Sequence, residues 1–194
     1  MAKTSSPACP HDYGFEVPPR SRRELTQDAH AIHTHVGYRG HGPFPIVRFV
    51  ERVLPVVYDG FELVVESEDA MGGRFGLTYP DKRLIVLRED IYDTAVEGKP
   101  FARMTVAHEV GHLLEHCGIP VAMACRPADA ELSPYRNSEW QANAFAGALL
   151  MPACRIVGMQ TQAVASVYGV TQAAADVQTS AMCREARSWS LPQL

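Results

Sequence analysis

The sequence predicts an α+β fold, mainly helical, with a small three-stranded antiparallel sheet and further helices at the C-terminal end. Three observations carry this. Apolar residues recur at helical spacing over long stretches near residue 50, after residue 100 and again after residue 138. Three short runs of β-forming residues lie between residues 61 and 88. The chain has 194 residues, one-domain size, and can bury a full core without disulfide staples.

The elements follow in order. Residues 1–20 contain Pro7, Pro10, Pro18 and Pro19 with little periodicity, and read as a flexible tail. Ser21 to His35 reads as a helix, with Ser21 as N-cap and Glu24 completing a capping box. Ile46, Val47, Phe49, Val50, Val53 and Leu54 give a helical apolar face expected to end before Pro55. Phe61–Glu66, Arg74–Tyr79 and Arg83–Arg88 are the strands. The last two flank the turn signal Pro80-Asp81-Lys82 and are expected to form a hairpin. Pro100 to Cys117 is a helix stopped at Gly118. Ser138 to Leu150 is another, with Ser138 and Gln141 as a capping box and Pro152 at its end. Helices over Gln160–Tyr168 and Gln172–Arg187 flank a Gly169-Val170-Thr171 turn, with Thr171 as N-cap.

Composition narrows the function. Hydrophobic residues make up 46% and charged residues 21%, which excludes wholesale disorder. The net charge of −4 argues against holding nucleic acid by bulk charge. No run approaches the roughly 20 apolar residues of a membrane span, and no apolar h-region marks a signal peptide. Five cysteines without regular spacing fit a reduced, cytoplasmic setting better than a disulfide framework.

His108-Glu109-Val110-Gly111-His112 reads HExxH inside the helix over 100–117. Residues i and i+4 stand about 40° apart around a helix and about 6 Å along it. Two such imidazoles can converge on one ion at roughly 2.0–2.1 Å. Glu109 lies beside the pair, where it can take a proton from water activated by the metal. Chance would give roughly 0.02 such matches in a chain of this composition, so a metal site outweighs a pair of surface histidines.

A catalytic zinc site wants a third protein ligand and one open position. The metzincin pattern HExxHxxGxxH is excluded, because Glu115 and Gly118 stand where it needs Gly and His. His116 is about 12 Å along the axis from His108, too far for one rigid helix to bring all three together; it is either a support for a ligand or structural. Cys117 and Cys125 would make a thiolate-rich site, the usual mark of a closed structural one. Asp129 and Glu131 sit in a Pro-containing stretch. Glu139, in the first turn of the next strong helix, is the best remaining choice. The competing reading is an ordinary acid favoured at a helix N-terminus. Asn143, one turn later, could hold a ligand in place.

The segment from Arg103 to His116 (RMTVAHEVGHLLEH), followed by Glu139 to Pro152 (EWQANAFAGALLMP), resembles the ImmA/IrrE family of metallopeptidases. That family pairs an R-x-T-x-A-H-E-x-G-H-x-L helix with an E-x-x-A-N-x-F-A-x-x-L-L-M-P helix, and both halves are unbroken here. The resemblance is clear over 103–152 and extends loosely to 46–187; residues 1–45 carry nothing that matches. With the elements above, a zincin-like domain is expected over 21–157, with a C-terminal helical extension over 158–194. The resemblance also implies a gluzincin-like zinc site of His108, His112 and Glu139, with Glu109 as general base. Family members cleave helix-turn-helix repressors, so the resemblance implies a bacterial zinc endopeptidase acting on a DNA-binding protein. Such cleavage derepresses mobile-element or stress-response genes. The rival expectation is a zinc-binding regulatory or sensor module, or a toxin–antitoxin component, acting by protein binding without proteolysis.

Other features take plainer readings. His30, His33, His35 and His41 do not share one helix face, and Arg20, Arg22 and Arg23 form a short solvated basic patch. The 169–171 turn resembles a helix-turn-helix connection, but Arg184 and Arg187 are the only bases on the next helix, both at its far end, so packing is expected. Cys9, Cys154 and Cys183 read as thiols, and Trp140 and Phe145 as core anchors. Tyr135, Arg136 and Tyr168 are candidate donors to an oxyanion.

Overall fold

The computed structural model describes residues 14–119 and 133–189, the side chains of 186–189 excepted. Its first helix, α1, spans Arg22–His35. Ser21 caps it, and the capping box with Glu24 is present on both sides. Next come α2 (Ile46–Arg48), a π turn (Phe49–Val53) and α3 (Leu54–Val57). This helical stretch does not end before Pro55 as expected. The π turn widens the coil there, with Leu54 N–H donating to Phe49 O, and gives the proline ring room against the preceding turn.

The sheet consists of β1 (Glu62–Glu66), β2 (Gly76–Tyr79) and β3 (Leu84–Arg88), with α4 (Glu68–Met71) between the first two. Its order is β1-β3-β2. β2 and β3 form the expected antiparallel hairpin, but β1 runs parallel to β3, so the sheet is mixed and not purely antiparallel. The cause is α4. Capped by Ser67 and closed by Gly72 in the left-handed conformation, it carries the chain past the place beside β1, and β3 fills that place.

From β3 the chain enters α5 (Glu89–Val96) and then α6 (Pro100–Glu115). α6 is buried on almost every side, because it lies between the sheet and α7 (Ser138–Leu150). α1 and α10 (Gln172–Trp189) cover the far side of α7, after the short α8 (Ala153–Ile156) and α9 (Thr161–Tyr168). Thr171 caps α10 through Ala174 N–H, and Gly169 turns the chain in the left-handed conformation.

One core runs through these layers, from Leu25 and Phe44 through Leu113, Phe145 and Leu149 to Val164 and Met182. The buried Arg103 ties them together, donating from Nε to Gly169 O (3.0 Å) and from Nη2 to Phe44 O (2.9 Å). That packing accounts for the 169–171 turn.

The segment 14–20, expected as part of a flexible tail, runs across the start of α7. Phe15 N–H donates to Ser138 Oγ, Val17 N–H to Arg136 O, and Arg20 N–H to Tyr135 O. Val17 is 2% exposed, and Arg20 pairs with Glu115 at 3.0 Å. The rest of that expected tail lies outside the described residues. Among the described residues no helix is long and apolar enough to cross a membrane.

Candidate metal centre

α6 and α7 cross in close contact at one glycine. A Cβ on Gly111 would stand 2.9 Å from Ala142 O and 3.0 Å from its Cα, so only glycine lets the backbones meet. His108 and His112 on α6 therefore face Glu139 in the first turn of α7. The capping of α7 differs from expectation. Asn137 is the N-cap, its Oδ1 accepting from Glu139 N–H (2.8 Å) and Trp140 N–H (3.1 Å), while Ser138 and Gln141 bond elsewhere.

His108 Nε2 lies 3.2 Å from Glu139 Oε2, His112 Nε2 3.1 Å from Glu139 Oε1, and the two Nε2 atoms 3.0 Å apart. Four ligands about 2.05 Å from a tetrahedral zinc stand about 3.3 Å from one another. Two imidazole nitrogens and a carboxylate at these separations fit that ion. Of the alternatives, Cys117 is exposed, and Cys125, Asp129 and Glu131 lie outside the described residues. His30, His33, His35 and His41 do not gather; His33 Nε2 instead sits 2.7 Å from Leu149 O.

The three groups are electrostatically coupled. Burial works against the charge on Glu139, but its close contacts with His108 and His112 outweigh it, holding the carboxyl well below its usual range. Burial likewise opposes the His108 cation, yet the Glu139 hydrogen bond and the Glu109 charge raise it. His108 Nδ1 lies 3.1 Å from Asn143 Oδ1, which accepts its proton and leaves Nε2 turned to the site. Behind His112 stands His116, 2% exposed, with its Nδ1 3.1 Å from His112 Nδ1.

Glu109 is buried against β2. Thr78 Oγ1 donates to its Oε2 at 2.6 Å, and a Cβ on Gly76 would stand 2.6 Å from its Oε1. β2, the edge of the sheet on this side, lines the cleft with the two histidines, Glu109, Glu139 and Asn143. The exposed Phe75 and Phe101 meet edge to face at its mouth. Thr78, Gly76 and Gln141 were not singled out for the site by their sequence. The strand run hinted at the first two, but the facing of β2 and α6 is a tertiary fact. The expected oxyanion donors do not line this cleft. Tyr168 Oη donates to Gly40 O, Arg136 pairs with Glu16, and Tyr135 meets Trp140 edge to face at a separate groove. Phe145 is fully buried as a core anchor, whereas Trp140 lies in that groove's wall under Arg22.

An α+β fold in which a helix carrying HExxH packs between a small mixed sheet and a second helix bearing a glutamate defines the zincin-like class. Residues 98–180 match the Peptidase_M78 family, described as the IrrE N-terminal-like domain. The resemblance to the ImmA/IrrE metallopeptidases drawn from the two helix motifs is borne out over that segment. No curated protein matches the chain. A solved structure described as a Mycobacterium tuberculosis transcriptional regulator superposes with a TM-score of 0.53 at 15% identity. The match covers 88% of this chain and 48% of that one, so this chain spans about half the length of that protein, and the likeness is one of fold.

Proposed function

We propose that this chain is a zinc-dependent endopeptidase that cleaves a helix-turn-helix transcriptional repressor, and so releases mobile-element or stress-response genes. The observation that carries the reading is the meeting of His108 Nε2, His112 Nε2 and the two Glu139 carboxylate oxygens, in contacts of 3.0–3.2 Å, beside a separately held carboxylate, Glu109. His108 Nε2, His112 Nε2 and a Glu139 oxygen would hold the zinc. Three ligands in an open cleft suit a catalytic site, because a closed structural site takes four. When bound, zinc supplies a Lewis acid that lowers the pKa of water to about 7.

Glu109 then acts as general base. Thr78 engages Oε2, which leaves Oε1 to accept the proton of the attacking water and return it to the leaving amine nitrogen. The free edge of β2 suits a peptide added as an extended strand along the cleft. The repressor as substrate follows from the family resemblance, and a net charge of −4 suits a protein partner better than nucleic acid. The exposed thiols of Cys117, Cys154 and Cys183 fit a reduced cytoplasm.

The test is a survey of new protein N-termini in the native host, with and without DNA damage, comparing wild type with Glu109→Gln. The expected result is a new terminus inside a small DNA-binding repressor, present only in wild type, with zinc retained by the variant. Identical termini in both strains, with both proteins folded and zinc-loaded, would overturn the peptidase in favour of action by binding alone.

A further inference from the structure

We infer that His116 and Gln141 are positioning residues that fix the proton of His112 on Nδ1, so that its Nε2 meets the metal with a free lone pair. The inference rests on the proposed zinc site but concerns residues outside the ligand set.

The direction of each hydrogen bond follows from its far end. Gln141, fully buried on α7, has its Nε2 2.8 Å from both Pro18 O and Tyr135 O. Carbonyl oxygens only accept, so these two bonds use both amide hydrogens and fix which end of the amide is which. Turning Gln141 over would set its Oε1 against two carbonyl oxygens. Oε1 therefore faces His116 Nε2, at 3.2 Å, as an acceptor. His116 carries its proton on Nε2, and its Nδ1 is bare.

That bare Nδ1 is 3.1 Å from His112 Nδ1, which must donate to it. A neutral His112 then keeps its lone pair on Nε2, the atom 3.1 Å from Glu139 Oε1 and 3.0 Å from His108 Nε2. The relay runs from two main-chain carbonyls, one in segment 14–20 and one in the turn before α7, to the metal position. Phe15, edge-on to His116 at 5.8 Å, packs against its ring. The two histidine ligands thus differ: His108 leans on the exposed Asn143, and His112 on a buried chain with no rotatable end.

Imidazole ¹⁵N NMR of the wild-type protein reads this directly, zinc-loaded and chelator-treated. The expected result in both states is His116 protonated at Nε2 and bare at Nδ1, with His112 protonated at Nδ1. A proton on His116 Nδ1 in either state overturns the inference. Should zinc leave the His108 and His112 Nε2 signals unmoved, the proposed metal site fails while the relay is still read in the chelated protein. In zinc competition titrations, His116→Leu is expected to raise the Kd about 10–100-fold. His116→Asn, whose Oδ1 can accept from His112 near the place of the lost Nδ1, recovers most of that affinity. Equal losses in the two variants would reduce His116 to a filler of space.

Discussion

Glu109 is held from two sides by β2, through the hydroxyl of Thr78 and the bare Cα of Gly76. A hydrogen bond to a charged group contributes about 1.5–3 kcal/mol. Thr78→Val is accordingly expected to slow peptide cleavage about tenfold to a hundredfold while zinc affinity stays unchanged; a parallel loss of zinc in titrations would show that Thr78 supports the fold instead. His116 contributes a pH dependence to stability. Burial and the charge of His112 push it down to about 4, against 6.5 in the unfolded chain. The unfolded chain therefore binds the extra proton between these values, and the contribution of His116 to stability falls as pH drops from about 6.5 to about 4. Glu115, raised by burial to about 7, acts in the opposite sense over much of that range, so the His116 share is read by comparison: in thermal melts of chelator-treated protein, wild type should lose stability relative to His116→Asn as pH drops. At this scale the cluster of His108, His112 and Glu139 was legible, because HExxH and the downstream glutamate are local patterns. Thr78 and Gln141 were not, because their partners are 31 and 123 residues away in sequence.

The crossing of α6 and α7 sets the distance between His112 and Glu139, and Gly111 sets the crossing. A methyl group there would meet the backbone of Ala142, which cannot rotate away. Gly111→Ala gains about 1 kcal/mol of helix propensity, but overpacking costs about 1–3 kcal/mol. A lower melting temperature and at least a tenfold weaker zinc Kd are expected, the second because the ligand sets move apart. Both long helices were legible from apolar spacing, although the cap of α7 proved to be Asn137, one residue earlier than read. α5 was missed: it follows β3 without a loop, and Glu89 and Asp90 in its first turn were its main signal. The parallel pairing of β1 was hidden because α4, only four residues long, redirects the chain. Pro55 misled because a π turn accommodates it, a backbone feature without a sequence mark.

Across the whole molecule, the site depends on parts of the chain beyond the recognised motifs. The family match spans 98–180, yet Glu109 leans on β2 and Gln141 on Pro18, both before residue 98. Segment 14–20 read as tail because prolines lack donors and the segment lacks periodicity. Its order comes from main-chain bonds to the turn before α7, which composition does not encode. Arg103 read as a motif residue only; its role is to collect carbonyls from Phe44 and Gly169, two places far apart in sequence. We propose that this assembly holds a single zinc ion between α6 and α7. An anomalous-difference map from a crystal grown with zinc tests it most directly. The expected peak lies about 2.0–2.1 Å from His108 Nε2, His112 Nε2 and a Glu139 oxygen, with Glu109 beside the ion and not bound to it. A zinc peak on Cys117 or elsewhere, with no density between these three side chains, would rule out a metal centre at this crossing.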